Sequence, residues 1–247
     1  ITLFMFLGGV DFVLHYQALR GNWRPLWNST ELVHYVLICF ALGMTVSLVL
    51  WLDNDYDSLW ESMRFGFFQV ISLLTTTGYA TADYEFWPTM AQYIIFFSLF
   101  IAACSGSTTS GVRIIHIVVF FRFMRRMIIK MARPFAVTTV NVDGRILDMS
   151  LVNNVLGLIA LHLHMLLLGS VLISFLSPGT DWWTSFTVMM ASLWNTGPAF
   201  GDIGPTENYS HLSDVATWFL SLVMLAGRFD IFTVMILFYP SFWKTTR

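Results

Sequence analysis

Two short stretches hold the residue types that can do chemistry in an otherwise apolar chain. One reads Thr75-Thr76-Thr77-Gly78-Tyr79 and the other Asn195-Thr196-Gly197-Pro198. Neither contains a carboxylate, thiol or imidazole, so the chemistry on offer is that of oxygen: backbone carbonyls and threonine hydroxyls. Glycine permits positive φ, which lets consecutive carbonyls point the same way. A ring of such oxygens can replace the water shell of a potassium ion, with a Thr hydroxyl adding one more oxygen at the inner end. With no acid in either stretch, a filter built from charged rings is excluded. No nucleophile–base pair, phosphate loop or dinucleotide fingerprint occurs elsewhere, so the sequence offers no enzyme and no cofactor of its own.

The elements that must position these stretches follow from composition. Of the 247 residues 56% are hydrophobic and 11% charged, against about 25% charged in a soluble domain. That balance makes lipid the solvent and predicts an all-α integral membrane protein. A span needs about 20 apolar residues. Residues 33–51, 151–176 and 218–238 meet that length. Residues 87–103 and 112–131 are two apolar pieces split by a polar stretch, and residues 1–16 read as the end of another span. Segments 62–74 and 184–194 lie just before or at the Thr-Gly stretches. At 1.5 Å per residue they reach about halfway through a ~30 Å core, as re-entrant pore helices would. Each aims its carbonyl end, the negative pole of its dipole, at mid-membrane. Non-helical backbone at that depth must line a water-filled path or pack on protein.

The charges sort by side. Arg20 and Arg24 share one loop; Arg122, Arg125, Arg126, Lys130, Arg133 and Arg145 share another; Lys244 and Arg247 close the sequence. The acids, among them Asp53, Asp55, Asp57, Glu61, Asp83, Glu85, Asp202 and Glu207, fall mostly in the opposite loops. The positive-inside rule puts the basic loops and the C-terminus in the cytoplasm. A net charge of −2 argues against a nucleic-acid partner. Cys39 and Cys104 read as small buried residues rather than a disulfide or metal site. Ile1 lies within an apolar run that has no charged n-region or cleavage site, so it reads as a point within a longer chain rather than a signal peptide.

A shift of 119 positions lays residues 71–83 on residues 190–202, matching Leu74, Thr77, Gly78 and Asp83 with Leu193, Thr196, Gly197 and Asp202. Both copies read as long helix, acidic loop, half-length helix, Thr-Gly stretch, long helix. Such repeats surround an axis and build a site between them.

The polar interruption is Cys104-Ser105-Gly106-Ser107-Thr108-Thr109-Ser110-Gly111. Small polar residues in series break a helix and expose backbone, which at this depth lines the pore or packs on protein. Arg228 lies deep in the last apolar run. A central arginine costs roughly 2.5–3.5 kcal/mol to insert, so it should face the interior and have a partner. The 119-residue shift sets it level with Thr109, within reach of the carbonyls of residues 106–111, where it would also be a positive barrier to cations. Asp230 is the other candidate partner, although residues two apart on a helix do not face each other. His162 and His164 are expected to be buried and hydrogen-bonded. Trp182, Trp183, Trp218 and Trp243 are expected in interfacial belts.

The strings TTTGYATADYEFWP, CSGSTTSGVRIIHIV, NTGPAFGDIGP and GRFDIFTVMILFYPSFW resemble the TrkH family of bacterial potassium transporters nearly end to end. The GPAFG and GRFDIFT forms resemble the TrkH branch more than its KtrB relatives. The resemblance implies four potassium-channel-like units around one pore, with two of the four repeats present here. Residues 1–27 would be the end of a preceding repeat's inner helix plus a cytoplasmic loop. Residues 28–150 would be the third pore-loop repeat, with a broken inner helix, and residues 151–247 the fourth. It implies that Thr76, Thr77, Gly78 and Tyr79 line one quadrant of a potassium filter, and Asn195, Thr196, Gly197 and Pro198 the next. Residues 104–111 would lie across the pore below the filter, with Arg228 part of the constriction. Where the family usually carries more glycine, this chain has Thr109 and Ser110. His116 departs from the family's usual arginine and receives no role.

The implied function is gated potassium uptake as the membrane subunit of a Trk-type system in the bacterial inner membrane. A homodimer and a cytosolic, nucleotide-binding TrkA-type regulator on the basic loops are implied with it, the nucleotide residing on the partner. Two quadrants do not close a pore; an upstream half or dimerisation of a half-length protein would complete it. Ion-coupled secondary transport would need a titrating intramembrane carboxylate, for which Asp11, Glu31 and Asp230 are candidates. A non-conducting regulatory subunit would give no flux.

Overall fold

The computed structural model describes residues 1–136, 138–229, 236 and 243. Asp230, Lys244, Arg247 and the C-terminal part of the last expected span therefore lie outside the described residues.

The described residues are mostly helical. α1 (Thr2–Gly8) and α2 (Phe12–Leu19) meet at a 102° bend. Asp11 starts the second helix by accepting the Val13 N–H at 2.8 Å, so residues 1–16 form a broken element rather than one straight end. α3 (Arg24–Asn28) leads into α4 (Thr30–Leu52). α5 (Leu59–Leu74), a 3-10 turn at Tyr84–Phe86, α6 (Thr89–Ser98) and α7 (Ile114–Ala132) follow. A two-residue-strand hairpin, Asn141–Val142 with Arg145–Ile146, leads to α8 (Met149–Leu176). Then come α9 (Trp182–Leu193), a 3-10 turn at Tyr209–His211 and α10 (Asp214–Arg228).

Among the described residues α4 and α8 are long and apolar enough to cross a membrane, and the bent α1–α2 pair would be a third such element if counted as one. At 16 and 12 residues, α5 and α9 are only about 24 and 18 Å long, too short to span. They form the centre of the molecule. Val70–Leu74 and Val188–Leu193 are buried almost without exposure, together with small polar residues such as Ser72, Thr187 and Ser192. α4 packs along α5 because Gly43 leaves room for Phe67, and Gly66 for Ser47.

The 119-residue offset holds from the first residues of α4 and α8 to the last residues of α5 and α9. Beyond the Thr-Gly stretches it widens, because the segment leading to α10 is longer than the one leading to α6. Arg228 is therefore level with the residues that follow α6 rather than with Thr109. The break in the inner helix also starts earlier than expected: α6 ends at Ser98. Leu99–Ala103 could continue a helix by composition. Instead Ala102 pairs with the loop's far side, its N–H donating to the Val112 carbonyl at 2.9 Å while its carbonyl accepts from Ile114 at 3.1 Å. Of the two histidines on α8, His162 is buried and His164 is exposed; each ring contacts the carbonyl four residues before it. Trp182, Trp218 and Trp243 are exposed, whereas Trp183 packs on Phe96, Phe186 and Phe200.

Candidate functional site

The two Thr-Gly stretches adopt one backbone despite different side chains. Thr76 (φ 49°) and Asn195 (φ 54°) are left-handed, and so are Gly78 (φ 77°) and Gly197 (φ 99°). Left-handed backbone therefore alternates with right-handed or extended backbone in both copies, the arrangement that swings successive carbonyls to one side. For β-branched Thr76 this conformation is unfavourable by about 1–2 kcal/mol, whereas asparagine is among the residues that tolerate it. Strain of this kind concentrates at functional sites.

The hydrogen bonds that hold the strain match as well. Thr77 N–H reaches back to the Ser72 carbonyl and Thr196 N–H to the Ala191 carbonyl, both at 2.9 Å. Struts grip the outer ends. Ser72 Oγ donates to the Tyr79 carbonyl at 2.6 Å and Tyr209 Oη to the Gly197 carbonyl at 2.5 Å. Tyr84 Oη donates to the Ala199 carbonyl at 2.6 Å, and Thr187 Oγ1 to the Phe200 carbonyl at 2.8 Å. Glu85 accepts the Gly201 N–H at 2.5 Å; burial raises its carboxyl above the ordinary range, and the nearby Asp83, Glu207 and Asp202 charges add to that. Burial likewise pushes the Tyr209 phenol up to about 12. Tyr79 and Gly197 carbonyls are thus engaged with protein. Among the described residues no backbone N–H reaches the carbonyls of Thr76, Thr77, Gly78, Asn195 or Thr196.

The stretches touch each other. A Cβ on Gly78 would lie 2.0 Å from the Thr196 carbonyl oxygen and 3.0 Å from Pro198 Cδ. Thr196 is buried and its Oγ1 has no partner among the described residues, whereas the corresponding Thr77 Oγ1 bonds Thr75 Oγ1 at 2.8 Å.

Below them lies the loop 104–111. Its neck is the Ala102–Val112 pairing, and its N-terminal limb hangs from three elements: Ala103 N–H on the Leu74 carbonyl and Cys104 N–H on the Gly9 carbonyl, each at 3.0 Å, and Ser105 on Glu31. Glu31 accepts the Ser105 N–H at 2.7 Å and its hydroxyl at 2.9 Å. Gly106 lies against Asp11, whose carboxylate a Cβ would meet at 2.2 Å. Inside the loop Ser107 Oγ bonds the Cys104 carbonyl at 2.5 Å and Thr109 Oγ1 at 2.8 Å. The other side is held by Arg228, whose Nη1 donates to the Thr108 carbonyl and, at 3.3 Å, to Ser110 Oγ. Gly111 lies under the Trp194 ring. Thr108 shares a cavity of about 490 Å³ with Thr75, Thr77 and Tyr79, so the loop and the first Thr-Gly stretch border one space.

Sequence reasoning missed Gly227, the contact of Glu31 with Ser105, and the struts Tyr84 and Tyr209. Gly227 lets α10 approach the end of α9, where a Cβ would lie 2.0 Å from the Leu193 carbonyl; there the Asn195 side-chain Nδ2 donates to the Met224 carbonyl at 3.0 Å. The signal available was its place directly before Arg228. Glu31 stood out only as a titratable group, and the tyrosine struts carry no local signature. His116, left without a role, accepts the Arg113 N–H at 3.3 Å and so caps α7. Cys39 and Cys104 are buried free thiols, and among the described residues no cluster of His, Cys, Asp and Glu suits a metal ion.

The family described as cation transport protein, TrkH, matches residues 1–245. The chain belongs to the TrkH family. The Trk system potassium uptake protein TrkH of Salmonella typhimurium is 30% identical over 245 residues, which are 99% of this chain and 50% of that protein. The TrkH of Halomonas elongata is 31% identical over 252 residues, covering 98% of this chain and 50% of the relative. The crystal structure of the potassium transporter TrkH from Vibrio parahaemolyticus superposes with a TM-score of 0.90 at 28% identity, covering 98% of this chain and 52% of that one. The chain spans about half the length of these TrkH relatives, and the all-α membrane fold is theirs.

Proposed function

We propose that this chain supplies two of the four quadrants of a potassium-selective pore, as part of the membrane subunit of a Trk-type uptake system. The observation that carries the reading is the paired backbone: the same alternation of left-handed residues at Thr76/Gly78 and Asn195/Gly197, leaving, among the described residues, consecutive carbonyls unclaimed by backbone donors and a buried Thr196 hydroxyl unpaired. Carbonyl oxygens in that arrangement replace an ion's hydration shell without a fixed charge. The oxygens of Thr76, Thr77, Gly78, Asn195 and Thr196 do the coordinating; Tyr79 and Pro198 close the outer ends. Residues 28–150 and 151–247 are the two quarter units, and residues 1–27 the end of the one before.

The loop Cys104–Gly111 acts as the gate, held shut by Arg228 on one side and by Glu31 on the other. Arg228 also sets a positive charge in the cation path. Opening requires the loop to leave these partners. Of the carboxylates that ion-coupled transport would use, Glu31 is committed to Ser105 and Asp11 to the start of α2, while Asp230 lies outside the described residues. The basic loops face the cytoplasm of a bacterium, where a TrkA-type nucleotide-binding regulator meets them, and the protein works as a homodimer.

The test is rubidium uptake into proteoliposomes with potassium or sodium as competitor. Potassium should compete and sodium should not. Equal competition would remove the filter, and no flux with a TrkA-type partner present would favour a non-conducting subunit.

A further inference from the structure

A cavity of about 800 Å³ opens between α7, the first turn of α4 and the hairpin before α8. Arg122, Arg125 and Arg126 line it from one helix. Their spacing puts them on one face of α7, where like charges repel and destabilise the helix in the absence of a counter-ion. Among the described residues no carboxylate pairs with them. Arg122 Nη1 reaches only the Asn141 carbonyl and Arg126 Nη1 only the Met149 sulfur. The one acid in the lining, Asp143, is turned to the Thr30 N–H at 2.7 Å, capping α4. Two buried polar atoms of the lining, Arg126 Nε and Thr138 Oγ1, have no partner among the described residues. The positive end of the 23-residue α4 dipole points the same way.

From this we infer that the cavity is a binding site for a phosphate group. Planar guanidinium forks suit phosphate oxygens, each taking two charge-assisted hydrogen bonds. Arg126 Nε and Thr138 Oγ1 supply donors that no other described residue engages. The phosphate can come from an anionic lipid headgroup at the membrane face or from a soluble phosphate compound; the recognition chemistry is the same. Occupancy would bear on the gate, since Thr30 in the cavity adjoins Glu31, which holds Ser105. The binding claim stands apart from any claim about transport.

Two arms identify the source. Detergent-purified protein is titrated with inorganic pyrophosphate by calorimetry, and native mass spectrometry counts phosphatidylglycerol kept after extraction from vesicles of phosphatidylglycerol and phosphatidylcholine. Either pyrophosphate binding or selective retention of phosphatidylglycerol is expected, weakened at least about tenfold in Arg122→Gln/Arg125→Gln/Arg126→Gln. The charge-conserving Lys triple variant controls for folding: it should stay monodisperse and bind in between, because a point charge lacks the fork. Asp143→Asn, which keeps the cap acceptor and removes one negative charge, should bind severalfold more tightly. Binding in neither arm overturns the site, as does a Gln triple variant that is monodisperse and binds like the wild type.

Discussion

The two Thr-Gly stretches share a backbone and differ in what surrounds it. In the first, Gly78 is wedged against the Thr196 carbonyl; in the second, a Cβ on Gly197 would meet nothing within 4 Å. The first is strutted by a serine of its own half-helix, the second by a tyrosine from the segment beyond it. After the first the inner helix is broken for the whole of 99–113, while after the second α10 runs unbroken to Arg228. The repeat thus keeps carbonyl geometry and divides other features: one copy provides the loop that interrupts the inner helix and the other the arginine that bonds it.

The largest difference should appear at the glycines. Gly78→Ser combines a left-handed side chain, about 1–2 kcal/mol, with a collision against the Thr196 carbonyl. It should abolish discrimination between rubidium and sodium in competition uptake. Gly197→Ser carries only the conformational term and should retain partial selectivity, weakened by about five- to thirtyfold. Equal loss in both would mean that the contact between the stretches is unimportant.

The gate comes next. Arg228→Ala removes charged donors worth about 1.5–3 kcal/mol, so rubidium flux per folded protein without a regulator should rise about ten- to a hundredfold. Glu31→Ala frees the opposite limb and should also raise flux. The two should combine less than additively, as both release one loop. A fall in flux together with folded yield would instead make Arg228 a structural residue.

Smaller effects are expected at the struts. Tyr209→Phe and Ser72→Ala each remove one hydrogen bond, worth about 1 kcal/mol, and each should soften selectivity by no more than about tenfold in the same assay. Smallest of all is Glu85. Its folded carboxyl titrates above the ordinary range, so the folded state holds the proton more tightly than the unfolded chain. Its stabilising contribution is complete at acid pH and is lost as pH rises through the raised value. Glu85→Gln, which keeps an acceptor for Gly201, should flatten that part of the pH dependence of thermal stability and slightly raise the melting temperature at neutral pH.

Much of this was legible from composition and spacing. Short apolar segments before Thr-Gly mark half-helices, because length in a bilayer is a hard constraint. Cys104–Gly111 marks a break, because serial small polar residues do not hold a helix. The left-handed conformation at Thr76 was not legible, since a β-branched residue disfavours it; the next residue's N–H folding back onto the Ser72 carbonyl accompanies it. Nor was the early end of α6, because Leu99–Ala103 is apolar and yields only to pairing with Val112 and Ile114. Glu31 meeting Ser105 joins parts of the sequence remote from each other, and no local pattern reports such a contact. The reach of Arg228 to the loop was foreseen, but from an offset that fails past the second Thr-Gly stretch.

The central claim is that the carbonyls of these two stretches bind the ion. Anomalous scattering from crystals of the protein grown in rubidium tests it most directly. Peaks are expected on the shared axis beside the carbonyls of Thr76, Thr77, Asn195 and Thr196, displaced by excess potassium and unchanged by sodium. Rubidium absent from that position, or displaced equally by sodium, would contradict it.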